Sequence, residues 1–285
     1  MFRIATCAPS TPITRDVADR VTALAVAEFP QVELHFHEQC FVEEGHFAGA
    51  DEVRLAALIE CANDPAFDAV WFAKGGYGAN RIAADALAAM DGAARNKSYG
   101  GYSDCGYLLA ALYRAEIGVS AHMPMPGDVR REGGEAAIRR SLGWFGGALD
   151  GLEPSLDPWG DGAPWGDGAP VVAFNLITLA MLCGTELMPD LSGHVVMVEE
   201  VAEHLYAVDR LFFHVTQHLQ GIAGLRLGRI SAVPENDRRF GAEPETIARY
   251  WSERSGIPFL GEADIGHDAA NKIVPFGIAG SPSRS

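Results

Sequence analysis

Along the first 122 residues, short apolar runs alternate with longer stretches whose apolar positions recur at helical spacing. Phe2 to Thr6 reads as a buried strand. After Thr14, Val17, Val21 and Leu24 repeat on one face, which predicts a helix with Thr14 at its N-cap. Val32, Leu34 and Phe36 alternate with Glu33, His35 and His37, the pattern of a half-buried strand. Asp51 opens a helix carrying Leu55, Leu58 and Ile59. Ala69 to Ala73 is a continuous apolar run, as expected of a central parallel strand, and it stops at Gly75-Gly76-Tyr77-Gly78. An alanine-rich helix from Ile82 to Met90, a strand from Ser98 to Tyr102 and a helix from Tyr107 to Ala115 follow. Strand-helix alternation of this kind predicts an α/β fold with a doubly wound parallel sheet.

The pattern breaks at residues 151–170. There Trp159-Gly160-Asp161-Gly162-Ala163-Pro164 is followed at once by Trp165-Gly166-Asp167-Gly168-Ala169-Pro170. Glycine and proline at this density sustain neither a helix nor a central strand. The segment reads as a linker with a spacing role, although Trp159 and Trp165 are large enough to cover a substrate. Beyond it, Val171 to Phe174 and Val195 to Val198 read as strands, the second ending in Glu199-Glu200. Leu176 to Cys183 and Val208 to Leu219 read as helices, Arg226 to Val233 as a strand, and Ile257 to Gly280 as short strands and turns around His267. The predicted organisation is a sheet domain over 1–150, a linker over 151–170 and a smaller, more β-rich α/β domain over 171–285.

Composition narrows the function classes. The chain of 285 residues is 48% hydrophobic and 21% charged, an ordinary globular composition. Its formal net charge of -16 repels phosphate backbones and anionic lipid, so nucleic acid and membrane are not expected partners. The N-terminus lacks the apolar run of a signal peptide, and no segment approaches the roughly 20 apolar residues of a membrane span. The five cysteines are widely spaced with no C-x-x-C. A disulfide framework or zinc ribbon is therefore not expected, and a soluble, reducing compartment is.

Gly101-Tyr102-Ser103-Asp104 sits between a strand and a helix. A serine on such a turn has its hydroxyl lifted clear of the sheet, beside free backbone N–H groups that can receive a developing oxyanion. The common elbow is G-x-S-x-G, whereas here the glycine falls one place later, at Gly106. A serine nucleophile needs a base and the base an orienting group. Among nine histidines, His267 lies in a polar turn between apolar stretches, and Glu199 ends a buried strand. A structural turn histidine and a solvated strand end are the plainer readings of these two residues. The glycine turn at 75–78 lacks the P-loop lysine and the G-x-G-x-x-G spacing, and Ala8-Pro9-Ser10 follows the first strand where a dinucleotide fold has glycines. An oxyanion contribution or a tight turn fits it better, and a non-catalytic binding module built on that turn is a rival from another class. Cys105 is an alternative nucleophile of a glutaminase type. His214 and His218, and His35 and His37, share faces without a third metal ligand and read as solvated.

Taken together these segments resemble the LD-carboxypeptidase family of serine peptidases, over nearly the whole chain. Phe47-Ala48-Gly49-Ala50-Asp51-Glu52-Val53-Arg54 is similar to its F-A-G-x-D-x-x-R. Lys74-Gly75-Gly76-Tyr77-Gly78-Ala79-Asn80-Arg81 is similar to its R-G-G-Y-G-x-x-R, with lysine first. Gly101 to Asp104 matches G-x-S-D. Val198-Glu199-Glu200-Val201-Ala202-Glu203, with Tyr206 and Asp209-Arg210, resembles L-E-D-x-x-E…Y-x-x-D-R. Gly266-His267, with Pro275-Phe276-Gly277, resembles G-H…P-x-G. The resemblance implies a Rossmann-like N-terminal domain carrying Ser103 as nucleophile. It implies a C-terminal domain carrying His267 as general base and Glu199 as its orienter, so the site lies between domains. It further implies backbone oxyanion donors at Asp104 and Gly76, with Arg81 a candidate for the substrate carboxylate. The implied substrate is a cytoplasmic murein tetrapeptide that loses its terminal D-alanine in cell-wall recycling, and the implied assembly is a homodimer. No metal or cofactor is called for. The nearest alternative is the microcin-immunity branch, which acts on peptidyl or aminoacyl-nucleotide conjugates. The chain departs from the family at His122-Met123-Pro124, where H-G-P is frequent, and at Ala173-Phe174-Asn175, where G-G-N is. Both put bulk in place of glycine and raise a question of specificity.

Overall fold

The computed structural model describes residues 1–147 and 168–277. The tandem repeat with Trp159 and Trp165, and with it most of the expected linker and the boundary at 150, lies outside the described residues. The first sheet contains strands β1 (Phe2–Cys7), β2 (Val32–Phe36), β3 (Ala69–Phe72), β4 (Ser98–Gly101) and β5 (Val119–His122), all parallel. Helices α1 (Arg15–Glu28), α2 (Asp51–Asn63), α3 (Ala79–Ala89), α4 (Gly106–Arg114) and α5 (Gly134–Phe145) pack around it. The second sheet contains β6 (Val171–Asn175), β7 (Val195–Val201), β8 (Gly224–Ser231) and β9 (Phe259–Glu262), again parallel, with α6 (Leu176–Leu182), α7 (Leu205–His218) and α8 (Pro244–Arg254). A short β10 (Val274–Pro275) returns to the first sheet and pairs antiparallel with β5, giving the orders β10-β5-β4-β3-β1-β2 and β6-β7-β8-β9. The α/β architecture expected from the alternation is therefore what the chain adopts.

Burial explains why these runs are strands. Every residue of β3 is buried, as a central parallel strand covered by helices on both faces requires. Two local expectations change. Thr14 stands at the N-cap of α1, but its side chain makes no capping bond; its backbone carbonyl takes the Val17 N–H instead. The buried face of α2 runs through Arg54, Ala57, Leu58 and Cys61 rather than Leu55 and Ile59. Arg54 is fully buried because backbone oxygens of Pro9, Gly49 and Gly78, together with Asp51, take its guanidinium.

One apolar core runs through both sheets, from Val70, Tyr99 and Leu108 to Val172, Val196 and Phe212. Its seam is the contact of α4 with α6, where a β-carbon on Gly106 would lie 3.0 Å from Thr178 Cγ2. The two departures from family glycines lie in the packed interior, Phe174 in this core and Met123 in a second cluster. Met123 is wholly buried, and its sulfur occupies the space that a β-carbon on Gly100 of β4 would need. Phe174 is buried against Phe276, ring centroids 5.1 Å apart. Both side chains fill core.

Candidate active site

Three loops meet at the C-terminal ends of neighbouring strands in the first sheet, where open parallel sheets place their ligands. They are residues 8–11 after β1, 74–78 after β3 and 102–105 after β4. Ser103 sits at φ 58°, a left-handed conformation that a non-glycine residue holds only when its surroundings enforce it. The turn lifts Ser103 off the sheet and starts a short 3-10 turn that runs into α4. Gly75 is what lets β3's loop approach it. A β-carbon there would stand 2.9 Å from Ser103 Cβ and 3.0 Å from its Oγ.

The second half of the chain supplies two more side chains. Val198 and Glu200 of β7 bracket a register shift against β8, a local irregularity at the strand end that carries Glu199. Glu199 is 0% exposed and accepts a hydrogen bond from His267 Nδ1 at 2.5 Å. A carboxylate only accepts, so Nδ1 carries the proton and Nε2 is left with a lone pair. Nε2 lies 3.0 Å from Ser103 Oγ. Ser103, His267 and Glu199, separated by up to 164 positions in sequence, therefore form one continuous hydrogen-bonded line. Glu199 is therefore not a solvated strand end, and His267 is 9% exposed.

Glu199 Oε1 has no partner among the described residues. The carboxylate is thus buried and bonded through one oxygen. Neighbouring Glu200 has a different task. Its oxygens take the Asn175 side-chain amide and the Ile177 and Val201 N–H groups, each at 2.8 Å, which ties β7 to the start of α6. Burial pushes the Glu200 carboxyl above its ordinary range despite these donors.

The loop holding His267 is fixed from several sides. Arg229 of β8 bonds Asp264 at 2.5 Å and grips Asp268 through Nε and Nη2 at 2.5 and 2.9 Å. Asn271 Oδ1 accepts from the Gly266 N–H and lies 3.1 Å from His122 Nε2, and Arg140 bonds the Ala269 and Asn271 carbonyls. The Tyr102 ring packs on the His267 ring with centroids 4.8 Å apart, its hydroxyl donating to Asp128. His122 is completely buried, and burial pulls its pKa down despite Glu199 nearby.

Asp104 follows Ser103 with its carboxylate buried between Ser10 Oγ at 2.6 Å and the Ala79 N–H at 2.8 Å. Burial raises the Asp104 pKa against those donors. Gly76 has φ +114° and lies against Thr11. Among the described residues, neither the Gly76 nor the Asp104 amide donates to a backbone carbonyl. Arg81 is 48% exposed and holds Asp51 at 2.7 Å, and this guanidinium keeps the Asp51 carboxyl below its ordinary value. Cys105 is fully buried, donates to the Lys74 carbonyl at 3.6 Å, and has its thiol pKa pushed well up by burial. A buried thiol held protonated is a poor nucleophile, so the glutaminase reading falls. His214 and His218 neighbour each other on α7 with ring centroids 4.7 Å apart and planes tilted by 50°, and no group of three metal-ligating side chains occurs among the described residues. Sequence reasoning missed Ser10, Thr11, Tyr102, Arg229 and Asn271. The only local signals were that Ser10 and Thr11 follow a central strand and that Asp264 and Asp268 flank His267.

Residues 4–122 match the LD-carboxypeptidase N-terminal domain and residues 169–281 the LD-carboxypeptidase C-terminal domain. A murein tetrapeptide carboxypeptidase of Pseudomonas aeruginosa is 26% identical over 96% of this chain and 91% of its own length. The crystal structure of a muramoyltetrapeptide carboxypeptidase from Oxalobacter formigenes is 25% identical, with a TM-score of 0.75 over 96% of this chain and 92% of that one. A microcin C7 self-immunity protein, solved with aspartyl sulfamoyl adenosine, has a TM-score of 0.74 over 97% of this chain and 91% of that one. At 17% identity this likeness is one of fold. The family matches span both sheets and include the segments bearing Ser103, Glu199 and His267, so the chain belongs to the LD-carboxypeptidase family and is a serine carboxypeptidase.

Proposed function

We propose that Ser103 is the nucleophile, His267 the general base and acid, and Glu199 the orienter of a carboxypeptidase that removes the terminal D-alanine of murein tetrapeptides. The observation that carries this reading is the hydrogen-bonded line from Glu199 through His267 to Ser103. His267 Nε2 takes the Ser103 proton as Oγ attacks the carbonyl of the scissile amide. Glu199 stabilises the imidazolium that forms, and the protonated Nε2 then gives its proton to the departing D-alanine nitrogen. The acyl-enzyme is released as tripeptide when water, deprotonated by His267, attacks it. The Asp104 and Gly76 amides are the proposed oxyanion donors, one on each loop beside Ser103. Arg81 is the proposed partner of the substrate's terminal carboxylate, sharing its guanidinium with Asp51.

Five free cysteines, four of them buried, support a reducing compartment, and the reading places the enzyme in the cytoplasm as a homodimer. Mass spectrometry with L-Ala-γ-D-Glu-meso-diaminopimelyl-D-Ala tests the reaction. The wild type is expected to release one D-alanine and Ser103→Ala none. Turnover of an aminoacyl-adenylate analogue in preference to this peptide would replace the substrate assignment with that of the microcin-immunity branch.

A further inference from the structure

The peptide between Gly75 and Gly76 joins two residues without β-carbons, so its plane rotates at little cost unless something outside it holds it. Thr11 does so. Its Oγ1 donates to the Gly75 carbonyl at 2.5 Å, and the residue is 7% exposed. Carbonyl and N–H of a trans peptide point in opposite directions, so this bond turns the Gly76 N–H away from Thr11. The Thr11 methyl occupies the space that a β-carbon on Gly76 would need, closing that side of the turn. The preceding residue acts on the other loop, where Ser10 Oγ donates to Asp104 Oδ2 at 2.6 Å. The segment is itself anchored. The Ala48 N–H donates to the Ser10 carbonyl at 3.0 Å, and buried Arg54 bonds the Pro9 and Gly78 carbonyls at 2.5 and 2.9 Å.

We propose that Thr11 is a positioning residue for catalysis: its hydroxyl sets the plane of the Gly75–Gly76 peptide and so aims the Gly76 N–H at the oxyanion, while Ser10 steadies Asp104. The inference rests on the reading of the Gly76 and Asp104 amides as oxyanion donors. A structural role alone would show in stability; a positioning role shows in the chemical step.

Thr11→Val keeps the shape and removes the donor, and Thr11→Ser keeps the donor. Two rates are measured on the full chain, kcat for D-alanine release and the rate at which a fluorophosphonate labels Ser103. Misaiming one oxyanion donor is expected to lower both in Thr11→Val by about 10- to 100-fold. KM is expected to stay within about twofold, and both rates of Thr11→Ser within about threefold of wild type. Wild-type rates in Thr11→Val, or equal losses in the valine and serine variants, would overturn the proposal. If Thr11→Val does not fold, Thr11→Ala against Thr11→Ser makes the same comparison. Undiminished labelling of Ser103→Ala would sink the reading of the site itself. Labelling without D-alanine release would sink only the substrate, and the labelling rates would still decide the role of Thr11.

Discussion

At the scale of single residues, the hydrogen-bonded line from Ser103 through His267 ends on one buried carboxylate, Glu199, which accepts a single hydrogen bond. Glu199→Gln keeps the shape but turns an obligate acceptor into a group that can also donate, so the His267 tautomer with Nδ1–H is no longer enforced. Steady-state kinetics should show kcat reduced by about 10⁴-fold with the melting temperature little changed. A loss of less than tenfold would remove Glu199 from the orienting role. His122 makes a prediction about pH. Burial holds its pKa below the ordinary 6.5, so the unfolded chain binds this proton more readily than the native one. Stability is then lost as pH falls below the unfolded value and is intact above it. In denaturant titrations the stability advantage of wild type over His122→Gln should shrink from pH 7 to pH 5. A constant difference would mean that folding leaves the His122 pKa unchanged. The strand-to-helix turn at Ser103 and the Gly-Gly turn were legible at this scale because each is contiguous in sequence. Arg54 was not, since nothing local tells a buried arginine from a solvated one; backbone carbonyls from three separate loops decide it.

At the scale of elements, β4 and the loop after β5 have exchanged volume. Gly100 leaves the hole that Met123 fills. Gly100→Ala would force a methyl into that sulfur and should destabilise the fold by about 1–3 kcal/mol in chemical denaturation. Met123→Gly would empty the space and should cost about 2–5 kcal/mol. Neither side chain lies in the Ser103–His267–Glu199 line, so kcat in native buffer should stay at the wild-type value for both. A changed preference among peptide substrates in Met123→Gly would restore a specificity role to this position. The short apolar runs of β1 and β3, the alternation of β2 and the helical spacing of α1 and α7 were legible. Helices α5 and α8 went unread. Charged residues crowd α5 from Glu135 to Arg140, and α8 carries Glu245, Arg249, Glu253 and Arg254. Their narrow apolar faces become intelligible only once their packing partners are known.

At the scale of the molecule, the core passes without a break from one sheet to the other, and β10 returns from the second half to the edge of the first sheet. The Phe276 N–H bonds the Ser120 carbonyl and the Gly277 N–H bonds the Val171 carbonyl, so one short segment ties the two sheets. Such coupling predicts a single unfolding transition in urea, with tryptophan fluorescence and far-ultraviolet circular dichroism coinciding. Two separated transitions would show that the halves fold independently and that the alignment of His267 on Ser103 is adjustable. The same tie explains why the Ser103–His267–Glu199 line is long-range, since one half carries Ser103 and the other carries both Glu199 and His267.

The sequence by itself determined the α/β class, the strand-to-helix turn at Ser103 and, through motifs in order, the family. These are properties of neighbouring residues, governed by side-chain period and by glycine's backbone freedom. Only the tertiary structure decided that His267 Nε2 meets Ser103 Oγ, that Glu199 is desolvated while Glu200 holds α6, and that Thr11 grips the Gly75 carbonyl. It also decided that Met123 and Phe174 fill core. Each of these is a contact between segments far apart in the chain, and its energy comes from burial and hydrogen bonding that exist only after both sheets have packed.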